Sequence, residues 1–303
     1  MEQVGRAGLQ EGAMRILIAV DGSSSSDAVI QETAARPWPK ATEMCLVTAV
    51  DPYFFTRAPL LLEEVKQRTS EELEEDAQPL REAGWAVSTT ALVGNPRHGL
   101  PKIASKWKAD LIMLGSHGRG AFSRLLLGST AQAVMRHATC SVEIVRAKGK
   151  SHAERAGMRV LIPTDGSEYA QMALHAVADR PWPGGSEFLI IACPEFPVII
   201  GEYPYYSPEQ VTEMAKGSEM HAAESAASGA DLLSKAGLRV SRQVTEPKDT
   251  PSRSILGAAD SWEADLIVMG SHGRRGFDRI VLGSVSESVA MHARCSVEVV
   301  RKA

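Results

Sequence analysis

The 303-residue chain is 44% apolar and carries 33 Lys and Arg against 37 Asp and Glu, a net charge of −4 with no basic run, which excludes a non-specific nucleic-acid binder. Its longest uninterrupted apolar stretch is the six residues Phe188–Cys193, too short for a membrane-spanning helix. At this length the chain can bury two cores of ordinary domain size.

Met1–Ala13 is polar and glycine-rich and reads as a loose extension without a signal-peptide core. Met14–Val20 is an apolar, β-branched run ending on Asp21-Gly22-Ser23, after which a helical pattern continues to Arg36: strand, turn, capped helix. Arg36-Pro37-Trp38-Pro39 breaks that helix, and Glu43–Val50 supplies a second buried strand. A variable loop follows from Asp51 to about Leu60, and Leu61–Ala83 reads as one helix stopped by Gly84. Val87–Val93 is a third strand. Gly94-Asn95-Pro96 opens a helix to about Lys108, Leu111–Leu114 is a fourth strand, Ala131–His137 an amphipathic helix, and Cys140–Val145 a fifth strand.

Lys148–Gly157 is a short charged linker, and then the order repeats. Met158–Thr164 ends on Asp165-Gly166-Ser167, a helix runs to Arg180-Pro181-Trp182-Pro183, and Glu187–Cys193 is the next strand. The expected division is an extension 1–13, domains 14–147 and 158–303, and a linker 148–157. Alternating β and α units predict, in each domain, an open five-stranded parallel sheet with helices on both faces, a Rossmann-like α/β fold. Ligands in such sheets sit past the carboxyl ends of the strands, and Asp21 and Gly115 mark the likeliest ends. The four cysteines do not make a disulfide framework, and Cys140 and Cys295 share one repeat position. Reduced, half-buried thiols in a cytoplasmic protein are expected.

The duplication is sharpest around one motif. Residues 107–146 laid over 262–301 give 24 identities in 40 positions, and each copy reads Gly-x2-Gly-x9-Gly-Ser: Gly115, Gly118, Gly128 and Ser129, then Gly270, Gly273, Gly283 and Ser284. A buried strand stops at the first glycine. The first two glycines are expected to permit positive φ and to bring a ligand against bare backbone. Gly-Ser at a helix start leaves N–H groups pointing outward, a natural anion seat. The spacing is neither that of a Walker loop nor Gly-x-Gly-x2-Gly. The plainer reading is that these glycines only make the turn.

Asp-Gly-Ser after strand one and Gly-x2-Gly-x9-Gly-Ser after strand four, both in duplicate, resemble the universal stress proteins in tandem form, over about Arg15 to Arg301. The resemblance implies an adenine-nucleotide fold that binds ATP, with Mg2+, in a nucleotide-dependent stress-signalling module. It places Asp21 and Asp165 on the ribose, and the backbone of Ala49 and Cys193 on the adenine edge. Leu114, Gly115 and Gly118, with Met269, Gly270 and Gly273, would line ribose and phosphates. Gly128, Ser129 and Thr130, with Gly283, Ser284 and Val285, would seat the phosphates.

Arg119 and Arg274 are candidates for a phosphate contact, against the plainer reading of exposed loop arginines. His117 and His272 are the sole candidates for a general base, more simply read as bonding their own loop. No Lys or Arg clamp is evident at the motif, no metal-ligand spacing stands out, and Tyr203, Tyr205 and Tyr206 read as a packed loop. The alternatives to a binding module are a slow ATPase or nucleotidyl-transferring enzyme, and a scaffold that binds nothing. The two domains are expected to pair through their apolar fifth strands, with homodimers of the chain left open. The second copy has Glu246-Pro247 and Pro194-Glu195 where the first has other residues, lacks the glycine that Gly94 supplies, and carries Pro197, Pro204 and Pro208. Its stiffer, more acidic rim leads us to expect tighter binding of an anionic nucleotide by the first domain.

Overall fold

A computed structural model describes residues 13–55, 59–118, 127–146, 156–195, 207–246, 249–274 and 282–302. The chain forms two compact units. Among the described residues of the first, the order is β1 (Arg15–Ala19), α1 (Ser24–Ala35), β2 (Glu43–Val50), α2 (Pro59–Asp76), α3 (Gln78–Glu82), β3 (Ala86–Val93), α4 (Pro96–Trp107), β4 (Leu111–Gly115), α5 (Ser129–His137) and β5 (Ser141–Val145). A 3-10 turn, Pro52–Phe55, lies in the loop expected after β2.

All pairings in this unit are parallel, giving the sheet order β3-β2-β1-β4-β5. Every residue of β1 and β5 is buried, as is Leu111–Leu114 of β4, which is why the Ile16–Ala19 and Leu111–Leu114 stretches read as continuous apolar runs rather than alternating ones; β5 buries Ser141 and Glu143 as well. Ile16, Ile18, Met44, Leu46, Leu111 and Met113 form one core with Val29 and Ile30 of α1 and with Leu73, Ala77 and Leu80. The carboxylate of Asp110, just before β4, accepts from the backbone N–H of Arg15 at 2.9 Å and so sets the start of β4 beside that of β1.

The single helix expected over 61–83 is two. Pro79 has no N–H to give and its ring crowds the carbonyl four residues back, so the chain breaks at Ala77 and restarts as α3. Gly84 does end the second piece, at φ +91°. The cysteines are all free thiols; Cys45 and Cys140 are fully buried, and burial pushes the Cys140 thiol up to about 11.

Arg36-Pro37-Trp38 does more than break α1. Arg36 donates from both terminal nitrogens to the two oxygens of Glu143 in β5, at 2.8 and 2.7 Å, and from Nε to Glu32 at 2.7 Å. Trp38 lies beside the guanidinium and donates to the Thr33 carbonyl. Glu143 is fully buried. Burial alone would lower the Arg36 pKa; Glu143 and Glu32 overcome it and hold the guanidinium charged.

The second unit repeats the plan: β6 (Arg159–Thr164), α6 (Glu168–Ala178), β7 (Glu187–Ala192), α7 (Pro208–Lys235), β8 (Arg239–Val244), α8 (Pro251–Ser261), β9 (Leu266–Gly270), α9 (Ser284–His292) and β10 (Ser296–Val300). Its parallel order is β8-β7-β6-β9-β10. Pro208 belongs to a helix rather than a loop: Ser207 and Gln210 form a capping box and Pro208 opens the 28-residue α7. Tyr203, Tyr205 and Tyr206 lie outside the described residues, as does most of the expected linker.

Removing one partner of the buried pair leaves a charge uncompensated. Glu143→Ala should therefore destabilise the first unit by about 3–5 kcal/mol, read as a lower urea midpoint, whereas an exposed pair such as Arg68–Glu72 should contribute about 0.5 kcal/mol or less.

Candidate functional site

In each unit the first and fourth strands are neighbours and the order reverses between them, so their carboxyl ends open onto one crevice. Asp21 follows β1, and its Oδ1 accepts from Ser23 N–H at 3.1 Å and from Ser26 Oγ–H at 2.9 Å. The turn needs Gly22, which sits at φ +70°. The other carboxylate oxygen, Oδ2, faces Gly118, where an added Cβ would lie 2.5 Å from it. In the second unit Asp165 repeats this: Oδ1 accepts from Ser167 N–H at 3.0 Å, Oδ2 from Arg274 N–H at 3.0 Å, and a Cβ on Gly273 would lie 2.8 Å from Oδ2.

The motif glycines thus work differently from expectation. None of Gly115, Gly118, Gly128, Gly270, Gly273 and Gly283 has positive φ; close approach explains them instead. A Cβ on Gly115 would strike Ser25 at 2.7 Å, and one on Gly270 the Tyr169 backbone at 2.5 Å, so the first glycine of each motif admits the helix after the first strand. The second admits the carboxylate. The third, Gly128 or Gly283, passes beside the carbonyl of Ser116 or Ser271, to which its N–H donates at 2.8 or 2.9 Å. That bond ties the helix start back onto the strand end.

Gly128 and Gly283 are the N-caps of α5 and α9, without a side-chain cap, and Ser129, Thr130, Ser284 and Val285 form the first turns. Their first N–H groups have no partner within the helix. In the second unit all nine residues expected at the site, Asp165, Cys193, Met269, Gly270, Gly273, Arg274, Gly283, Ser284 and Val285, line one cavity of about 710 Å³. The apolar side chains of Ile191, Pro194 and Ile255 line the same cavity, with Thr250 beside them. In the first unit Asp21, Ala49, Leu114, Gly115, Gly118, Gly128, Ser129 and Thr130 stand at the matching strand ends and helix start, but of these Asp21 and Ala49 share a described cavity, the one on the α2 side. Arg119 lies outside the described residues.

Of the buried polar side-chain atoms without a partner among the described residues, two, Ser23 Oγ and His117 Nε2, belong to this corner of the first unit. The α2 side of Asp21 has a different character. A cavity of about 340 Å³ there is lined by Asp21, Asp51, Glu72 and Asp76. Burial, and then the charges of Asp27, Glu72 and Glu75, raise the Asp76 carboxyl above its ordinary range. An anion is repelled from that side, and the helix start of α5 is left as its seat.

The histidines are engaged locally: His117 Nδ1 lies 2.9 Å from Ser116 Oγ, and His272 Nδ1 lies 3.0 Å from Ser271 Oγ. The His272 ring rests on Tyr169 at 4.9 Å. The side chain of Arg274 is not a loose cation, since it pairs with Glu195 at 3.4 Å on the cavity rim. One residue the sequence reading passed over is Arg97, whose Nη2 donates to Ser129 Oγ at 2.7 Å. It stands 32 residues before the serine, and only the packing of α4 on α5 brings the two together.

Because the glycines separate into packing and site roles, their substitutions should too. Gly270→Ala meets helix backbone and should cost about 1–3 kcal/mol in urea denaturation. Gly273→Ala meets only the end of the Asp165 side chain and should stay within about 0.5 kcal/mol.

The family model described as the universal stress protein family matches residues 13–146 and again 158–301. A universal stress protein of Mycobacterium tuberculosis is 28% identical over 298 residues, covering 95% of this chain and 97% of the relative. Another from the same organism is 26% identical over 300 residues, covering 96% and 97%. Among solved structures, a universal stress protein from Archaeoglobus fulgidus DSM 4304 has the same fold at TM-score 0.66 and 22% identity, over 97% of this chain and all of that one. With both halves matched and the strand order and glycine corners repeated in each, the chain belongs to the universal stress protein family.

Proposed function

We propose that each domain, over 14–147 and 158–303, binds ATP with Mg2+ in its strand-end crevice, and that occupancy changes the shape or assembly of a cytoplasmic stress-signalling protein. One observation supports the reading: the nine residues that the resemblance assigns to a nucleotide line a single cavity, where Gly273 lies between the Asp165 carboxylate and the uncapped helix start at Gly283. The Asp165 carboxylate suits a ribose diol, the apolar Ile191–Pro194 side an adenine ring, and the N–H groups of Ser284 and Val285 a phosphate. The unpartnered Ser23 Oγ and His117 Nε2 suit the same ligand in the first domain. Among the described residues no group of three His, Cys, Asp or Glu side chains assembles to hold a metal, so Mg2+ would come with the phosphates.

We read the site as one for binding; a turnover reading would use the loop histidines as base, each with Nδ1 beside the serine before it and, in His117, Nε2 without a partner among the described residues. A phosphate-release assay separates this from a slow ATPase. Calorimetry should find up to two ATP sites per chain. Gly118→Val and Gly273→Val should each remove one, lowering its affinity about 10- to 100-fold by displacing the ribose carboxylate. No binding at millimolar ATP would sink the reading.

Pairing of the domains through the apolar fifth strands, and of whole chains, is kept as a proposal from the sequence pattern. Small-angle scattering should give a single compact particle; freely moving domains would contradict it.

A further inference from the structure

The two glycine loops match closely, but the helix beside each does not. In the first domain Arg97 lies in the first turn of α4, where Pro96 and the Asn95 side chain, accepting from Arg97 N–H at 3.0 Å, fix the helix start. From there the guanidinium reaches Ser129 Oγ at 2.7 Å, at the first turn of α5. Among the described residues it has no carboxylate partner. A positive group without such a partner is thus held at the uncapped start of α5.

The second domain has Ser252 at the matching position, its hydroxyl 3.3 Å from Thr250 Oγ1. Asp249 stands where the first domain has Gly94 and lines the cavity; Arg253 lies 3.5 Å from it, and its neighbour Lys248 lies outside the described residues. Arg274, the cation on the described cavity wall, is turned to Glu195. The loops between the second and third glycines do not offset this. They carry Arg119 and Arg124 in one copy, and Arg274, Arg275, Asp278 and Arg279 in the other, the same net charge.

We propose that Arg97 reads the phosphate chain of the first domain's ligand, so that the first site selects a nucleoside triphosphate over a monophosphate while the second binds adenine nucleotides with little regard to phosphate number. This rests on the nucleotide reading above. A guanidinium donates to phosphate oxygens through charge-assisted hydrogen bonds, which a serine cannot replace. Each added phosphate strengthens its attraction. In the second domain added phosphates meet Asp249 and must compete with Glu195 for Arg274.

Calorimetric titration of ATP, AMP and adenosine, with Mg2+, into Gly273→Val and Gly118→Val tests each site alone; in both variants the added Cβ meets a carboxylate end, and circular dichroism of each variant should match that of the unsubstituted protein. With the first site alone, ATP should bind about tenfold more tightly than AMP, and Arg97→Ser should cut that ratio about five- to tenfold with adenosine affinity unchanged. With the second site alone the ratio should be near one, and Ser252→Arg should raise it. Higher salt should narrow the first site's ratio, since Arg97 is exposed. An unchanged ratio in Arg97→Ser, or equal losses for adenosine and ATP, would overturn the role of Arg97 while leaving nucleotide binding standing. Failure of both single-site proteins to bind any of the three ligands would overturn the nucleotide reading and this proposal together.

Discussion

A carboxylate oxygen lying against a glycine holds the crevice in its shape. Asp21 and Gly118, and again Asp165 and Gly273, leave no room for a Cβ between them. Strands β1 and β4 run side by side and then send their chains opposite ways, so the gap between their ends must be closed by whatever the two loops carry. Each aspartate closes it with one oxygen tied to the turn that follows and the other facing the loop of the fourth strand. A side chain at the second glycine would push the carboxylate out and separate the two halves of the site. The first and third glycines solve different contacts, with a helix backbone and with a strand-end carbonyl. The spacing of the motif is therefore the distance along the chain between three close approaches.

Electrostatics then give the crevice a direction. On the α2 side, Asp51, Glu72 and Asp76 line one acidic cavity, and burial, then the charges of Asp27, Glu72 and Glu75, raise the Asp76 carboxyl. On the α5 side the chain offers N–H groups and Arg97. An anionic ligand has one favourable side. The scaffold behind it is fixed by a different use of charge: Arg36, between Glu32 and Glu143, joins the end of α1 to β5 from within the core. Such a pair specifies which groups meet more than it adds net stability, because desolvation offsets much of the attraction.

Much of this was legible in the chain itself. The duplication, the strand–helix alternation and the parallel sheet follow from apolar runs and their spacing, which are local properties that burial on two faces imposes on sequence. The Asp-Gly-Ser turns and the glycine spacing were also readable, because they sit in short continuous segments, and it was the family resemblance carried on them that named the nine residues lining the second crevice. What the sequence determined, then, was the order of elements, their division into two repeats, and which strand ends carry polar and glycine residues.

Tertiary structure decided what depends on contacts between distant segments. It assigned the motif glycines to close approach rather than to positive φ, since the approaching groups, Ser25, Asp21 and the Tyr169 backbone, come from other elements. It turned the helix-breaking Arg36-Pro37-Trp38 into a buried pair with a glutamate 107 residues away. It brought Arg97 to Ser129, although nothing near either residue in the chain signals the other. Propensity and periodicity act over a few residues, whereas a charge 32 or 107 positions away becomes a neighbour only after the sheet has formed and α4 has packed on α5.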